Sequence, residues 1–176
     1  MRWKTSVAVV VVLALALVGM GAGVAAAGGD QQLPSRVRMS SDFWWDETYC
    51  PDASGTLQPR ITITGTAVGT HLGKFTLEGY ACGVGMPGEV TWLMPNGDTI
   101  TLGFYSVIGP IDPVTFSAHI TMPGTVVGGS GRFAHVQLEP GSSLEGTVWF
   151  TSMTGGHLEV ETDSWISYDA SDRSGK

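Results

Sequence analysis

Apolar and polar residues alternate over most of the second and third thirds of the chain, and this period-two pattern constrains the fold more than any other feature. Ile61 and Ile63 alternate with threonines, and Phe75 and Leu77 alternate with polar residues. Such alternation is typical of strands with one buried and one exposed face. Between the two runs lie residues 69–73 (GTHLG), whose glycines tolerate positive φ. The pattern predicts a β-hairpin.

Eight strand-like runs follow one another, separated by turn sequences rich in Gly, Pro and Asn. Asn96-Gly97 is a strong signal for a two-residue hairpin, because both residues tolerate the left-handed conformation. Closely spaced strands joined by short links predict an all-β fold, an eight-stranded antiparallel up-and-down β-barrel. The runs span residues 60–67, 73–82, 89–94, 98–108, 113–121, 132–138, 143–151 and 157–168.

The alternation divides these runs into an interior and an exterior face. The exterior is rich in Thr and Glu, as expected for the wet side of a closed sheet, and the bulky interior residues favour a filled barrel. The sixth run is ambiguous, because Phe133 and His135 share one face whereas Ala134 and Val136 share the other. The predicted interior comprises Ile61, Ile63, Phe75, Leu77, Val90, Trp92, Met94, Ile100, Leu102, Phe104, Val114, Phe116, Ala118, Ile120, Leu144, Val148, Phe150, Leu158, Val160 and Ile166.

Residues 1–27 have the pattern of an export signal. Arg2 and Lys4 form a positive start, residues 7–20 are apolar, and residues 25–27 (AAA) suit cleavage by signal peptidase. An uncleaved membrane anchor is the alternative, since the apolar stretch and the alanines together carry no charge. Cleavage predicts an exported protein, periplasmic or extracellular.

The charge of the chain argues against two classes of partner. The sequence has 9 Lys and Arg residues against 16 Asp and Glu residues. Loss of Arg2 and Lys4 with the signal leaves 7 basic residues, so that the net charge becomes about −9. Nucleic acids and anionic membranes bind clusters of Lys and Arg. We therefore predict no nucleic-acid partner and no stable membrane insertion after cleavage.

The stretch that follows the signal is predicted to pack on the barrel. A disulfide between Cys50 and Cys82 would tie it down, because export into an oxidising compartment favours pairing of two cysteines. Trp44 and Trp45 would face opposite sides, and they form either packing residues or an aromatic platform for a ligand. The predicted organisation is a signal peptide (1–27), an N-terminal segment (28–59), a barrel domain (60–168) and a flexible C-terminal tail (169–176).

Signatures of catalysis are absent from the sequence. It contains no GxSxG, HExxH or phosphate-binding glycine loop, and no two histidines have a metal-binding spacing. The predicted interior holds almost no titratable group, which general acid–base catalysis requires. We predict no catalytic residue, no metal site and no cofactor. Catalysis in the barrel would have to use residues at its mouth, where His71, Asp98, Asp112 or His157 could lie, or the ambiguous His135.

Three turn motifs carry a resemblance to a known family: residues 69–75 (GTHLGKF), 96–99 (NGDT) and 128–134 (GGSGRFA). They resemble motifs of small exported bacterial proteins with an allene-oxide-cyclase-like or dirigent-like barrel, over residues 60–168. Plant cyclases and dirigent proteins of that superfamily shape reactive intermediates in an apolar cavity, so the resemblance implies a cyclase-like alternative. The functional residues of the cyclases match no positions here, and no role is carried over.

These observations predict a secreted, non-catalytic binding protein. Its partner would be a small apolar or aromatic ligand or another protein, and the alternatives are a cyclase or isomerase acting in the cavity and a structural envelope protein. The candidate ligand-binding residues are the aromatic and imidazole side chains in or near the predicted barrel, namely Trp44, Trp45, His71, Trp92 and His135.

Overall fold

A computed structural model of the protein describes residues 31–51, 55–83, 85 and 87–168, and it confirms the all-β prediction. The predicted signal peptide (1–27) and C-terminal tail (169–176) lie outside the described residues. The described elements are strands and one 3₁₀ helix at Gly131–Phe133. The strands are β1 (Gln31–Pro51), β2 (Leu57–Gly69), β3 (Gly73–Cys82), β4 (Gly88–Leu93), β5 (Thr99–Phe104), β6 (Val107–Ile108), β7 (Ser117–Gly129), β8 (Gln137–Leu138), β9 (Ser143–Ser152) and β10 (Gly155–Tyr168).

These strands form one antiparallel sheet that closes into a ring. The hydrogen-bonded order is β1-β2-β3-β4-β5-β7-β9-β10, and a further pairing between β1 and β10 joins the two ends. The closed circuit therefore contains eight strands, while β6 pairs with β7 and β8 pairs with β10 outside it. Because the circuit follows the order of the chain, its connections join neighbouring strands.

The largest difference from the sequence prediction concerns residues 31–51, which form a strand of the ring rather than a segment packed across it. Strand β1 is hydrogen-bonded to β10 on one side and to β2 on the other. Its inward-facing side chains include Val37 and Met39, but also Ser35 and Ser41, which are buried. Because these two serines occupy positions on the buried face where apolar residues are expected, the period-two pattern of β1 cannot be recognised in the sequence.

The fifth predicted strand begins later than expected. Residues 113–116 form a turn, and β7 starts at Ser117 and continues to Gly129. Val114 and Phe116, which were expected in the interior, are 84% and 60% exposed. Asp112 and Pro113 are residues that favour the first and second positions of a β-turn. This local turn preference outweighs the short alternating pattern.

The sixth predicted strand, over residues 132–138, is instead the 3₁₀ helix followed by the two-residue strand β8. Phe133 is fully buried, and its ring lies 5.1 Å from that of Tyr168. This segment therefore fills the space beside the last part of β10. The circuit still has eight strands because β1 takes the place of the sixth predicted one.

One end of the ring carries the disulfide, and the other has an interior filled with large side chains. At the disulfide end, β1, β3, β5 and β9 finish while β2, β4, β7 and β10 begin. At the opposite end the interior is filled by large side chains, among them Phe75 and Trp92, whose ring centroids are 4.9 Å apart. The predicted disulfide is confirmed: Cys50 and Cys82 are bonded, with their Cα atoms 5.6 Å apart.

Reduction of this disulfide should lower the free energy of unfolding by about 3–4 kcal/mol, because the bond restricts the unfolded chain across a separation of 32 residues. Urea unfolding with and without a thiol reductant measures the difference. In the double variant Cys50→Ala, Cys82→Ala the reductant should have no effect. An unfolding midpoint that is the same in both redox states of the natural protein would contradict this prediction.

Candidate functional site

Large apolar side chains are exposed in the loops and in the short strand β6 at the disulfide end. Single exposed apolar residues are common on proteins, but several of them at one end mark an interaction surface. Along the chain they lie after β5, before β7 and in the hairpin between β9 and β10. We call five of them the apolar rim: Val107, Ile111, Val114, Phe116 and Met153, the last of which is 92% exposed.

Asp112 fixes the loop that carries Val114 and Phe116. Its carboxylate accepts the backbone N–H of Val114 at 2.7 Å and that of Thr115 at 3.3 Å, and its carbonyl oxygen accepts the N–H of Phe116 at 2.9 Å. The two bonds to the carboxylate, that from Val114 first, hold the pKa of Asp112 below its ordinary value. The rim loop is therefore ordered by its own hydrogen bonds.

Phe116 adopts a left-handed backbone conformation, with φ at 51°. This region costs a non-glycine residue about 1–2 kcal/mol. The conformation is held from both sides, because the Phe116 carbonyl accepts the N–H of Phe150 at 2.8 Å and Asp112 forms a β-bridge with Ser117. An exposed aromatic residue kept in a strained conformation by the surrounding fold is a feature found at functional sites.

A second hydrogen-bonded loop lies at the end of β1. The ladder between β1 and β2 shifts register between Trp45 and Tyr49. There the Asp46 carboxylate accepts the N–H of Thr48 at 2.8 Å and the hydroxyl of Thr62 at 2.7 Å. Hydrogen bonds from the hydroxyl of Thr48, and then from that of Thr62, lower the pKa of Asp46. This bulge turns Tyr49 outward at the same end as the rim.

A small apolar cavity opens inside the ring at this end. Its volume is about 50 Å³, and its lining includes Ile108, the neighbour of the rim residue Val107. Phe43 and Phe150 form part of the wall, with their rings edge to face at 6.0 Å. Among the described residues, no titratable side chain lines it, and Ser106 supplies the one hydroxyl. The cavity is smaller than the roughly 300–1,000 Å³ typical of pockets for drug-sized ligands.

The structure separates the five sequence-predicted ligand-binding residues. Trp44 is exposed on the outer wall, whereas Trp45 packs against the core and lines the cavity. Trp92 is buried in the filled half of the interior. His71 lies in the turn between β2 and β3, and His135 follows the 3₁₀ helix, so both histidines are at the opposite end and exposed. Of the five, Trp45 alone borders the cavity.

Sequence reasoning missed the rim, because Val114 and Phe116 were assigned to the interior and Met153 was not considered. A usable signal was present in Asp112-Pro113, which is a turn-forming pair directly before the two residues. Asp112 lies in this loop, and its carboxylate orders the loop by accepting backbone N–H groups. Met153 sits at a hairpin tip beside Thr154, whose carbonyl accepts the N–H of Trp45 at 2.8 Å.

Among the described residues, no group of three or more His, Cys, Asp or Glu side chains could hold a metal ion. In the same part of the chain, no helix has the length and apolar character needed to cross a membrane. The chain matches no protein-family model, no curated protein and no solved structure in comparisons with each.

The hydrogen bonds to Asp112 predict a pH dependence of the rim loop. A carboxylate whose pKa is lower in the folded protein stabilises that fold above the pKa of the unfolded state, and the stabilisation is lost as the pH falls through the folded value. Carboxyl-carbon NMR should show Asp112 titrating below its ordinary value of 3.8. The amide signals of Val114 and Thr115 should move in the same pH range.

The variant Asp112→Ala is the control for this titration. It should remove the acid-induced change in the two amide signals and leave the core signals unchanged, because Asp112 is exposed. A carboxyl that titrates at or above 3.8 would show that the loop is not ordered by these bonds.

Proposed function

We propose that this is a binding protein without catalysis in its cavity, whose apolar rim docks a protein partner that inserts one apolar side chain into that cavity. The observation that carries the proposal is the rim loop, an ordered and strained turn that presents Val114 and Phe116 to solvent. Preorganised apolar groups at an exposed end reduce the entropy cost of binding.

The size of the cavity favours a side chain over a free ligand. About 50 Å³ of apolar space suits a few carbon atoms rather than a whole drug-sized molecule. Protein interfaces concentrate their binding energy in a few large side chains that fill pockets surrounded by residues that exclude water. A cavity with Ile108 in its wall and Val107 in the adjoining rim fits such an arrangement.

The chemistry of the cavity favours binding over catalysis. General acid–base catalysis requires a proton-transferring side chain within hydrogen-bond reach of the substrate. None of the described side chains that line the cavity titrates, and Ser106 is the one hydroxyl among them. A cyclase in this barrel would have to act without an acid or a base there.

The proposal includes the closed ring as an eight-stranded β-barrel that serves as a scaffold for its loops. Binding residues are often carried by loops on a rigid scaffold. The export signal predicted for residues 1–27 and the disulfide, which suits an oxidising compartment, support a partner outside the cytoplasm.

Selection from a random peptide library displayed on phage tests the proposal. The protein is immobilised through its C-terminus, because the last described strand, β10, ends at Tyr168, at the opposite end from the rim. Selected peptides should share one aromatic or branched apolar residue. Phe116→Ser should weaken binding of such a peptide about tenfold or more, as truncation of a central interface residue does.

Two further variants separate the cavity and the rim from general surface effects. Ala81→Leu places extra carbon atoms in the cavity and should abolish the preference for that apolar residue. Val127→Ser removes an exposed apolar side chain from the outer wall of β7 and should leave binding unchanged. Peptides that bind the Phe116→Ser and Ala81→Leu proteins as tightly as the natural one would overturn the proposal, once thermal unfolding shows that both variants are folded.

A further inference from the structure

Three polar side chains meet on the outer wall of the ring, away from the cavity. Ser40 and Asp42 are two residues apart on β1, so they lie on the same face of the sheet. His157 on β10 is directly opposite Asp42 in the register of the two strands. Strand pairing thus brings together residues separated by 115 positions in the chain.

Hydrogen bonds link the three side chains in the order Ser40, His157, Asp42. The Nδ1 atom of His157 lies 2.9 Å from an Asp42 carboxylate oxygen, and its Nε2 atom lies 3.3 Å from the Ser40 hydroxyl. A carboxylate accepts and does not donate, so the proton of a neutral imidazole is on Nδ1. Nε2 is then left as the acceptor for the Ser40 O–H. This is the order of contacts by which a Ser-His-Asp set activates a serine.

The surroundings leave room for a substrate beside Ser40. An open groove of about 540 Å³ runs past it, and Thr66, Val68 and Trp149 are among the groove's other lining residues. The Trp149 ring lies 6.1 Å from the imidazole of His157 and limits its movement on one side. Glu159 is on the other side, with a carboxylate oxygen 3.8 Å from Nε2.

We propose that Ser40 is a nucleophile for acyl transfer from carboxylic esters, with His157 as its general base and Asp42 as the positioning residue. The Ser40 oxygen attacks the ester carbonyl carbon while its proton passes to Nε2 of His157. The bond to the alcohol oxygen then breaks, and the alcohol leaves with that proton. Water, deprotonated by the same imidazole, releases the acid and restores the Ser40 hydroxyl.

The hydrogen bonding of the backbone around Ser40 determines which esters could react there. Strand β1 is paired on both sides here, so its N–H groups are engaged in the two ladders and form no oxyanion hole. Thr66, which carries a hydroxyl, is opposite Ser40 in the register with β2. Without backbone donors, esters with a good leaving group, such as aryl esters, are the expected substrates, and amides are not. This inference is independent of the proposed binding function.

Acetylation by p-nitrophenyl acetate tests the proposal. Intact mass spectrometry and peptide mapping of the full protein should find one acetyl group, on Ser40, and none in Ser40→Ala. In His157→Ala the rate of acetylation at Ser40 should fall about 100-fold, the lower end of what a general base contributes. Asp42→Ala should also slow it without moving the urea unfolding midpoint, because Asp42 is exposed on the surface.

The chain offers a matched control on β7. There the Thr121 hydroxyl lies 3.4 Å from Nε2 of His119, and no carboxylate among the described residues is bonded to that ring. Thr121→Ser therefore creates a serine–histidine pair without the third member. In this variant the serine at position 121 should be acetylated at least tenfold more slowly than Ser40. Equal rates at the two serines, or an unchanged rate at Ser40 in His157→Ala, would overturn the proposal.

Discussion

Pairing between the first and the last strand is the interaction on which the rest of the structure depends. Strand β1 runs along β10 from Gln31 to Trp44, and this single ladder converts an open sheet into a ring. An open sheet would leave two edges with unpaired N–H and C=O groups, which invite aggregation. On the outside of the ladder Arg36 bonds Asp163 at 2.6 Å and lowers the pKa of that carboxyl. Exposed ion pairs contribute little to stability, so the closure depends on the backbone ladder more than on this pair.

Closure of the ring decides where chemistry can take place. Large inward side chains fill one end of the interior, and an apolar cavity of about 50 Å³ lies near Phe43 and Phe150 at the other. The described side chains that line this cavity carry no acid or base, so the described acids and bases lie elsewhere, among them Asp42 and His157 on the outer wall and Asp112 in the rim loop. The cavity and rim suit binding of an apolar side chain, whereas the Ser40–Asp42–His157 group suits reaction with an ester. The same two strands serve both sites, because β1 and β10 contribute inward residues to the cavity and outward residues to the hydroxyl–imidazole–carboxylate group.

The apolar rim illustrates how a local cost is offset by neighbouring bonds. Phe116 is held at a φ of 51°, which a phenylalanine rarely adopts. Hydrogen bonds from the loop to Asp112 and from Phe150 to the Phe116 carbonyl compensate for that cost. Without them the loop would relax, and its apolar side chains could turn toward the interior of the ring. Their exposure is thus a consequence of the folded arrangement, since the alternating pattern by itself predicts Val114 and Phe116 in the interior.

The sequence by itself determined the class of the fold, most strand positions from β2 to β10, the pairing of Cys50 with Cys82 and the apolar character of the interior. These properties are readable because alternation and turn chemistry act between residues that are close in the chain. Tertiary structure decided the rest. Ser35 and Ser41 face inward on β1, so the strand that closes the ring has no clear apolar period. The meeting of Asp42 with His157 depends on the register between two strands at opposite ends of the sequence, and no connecting turn sets that register.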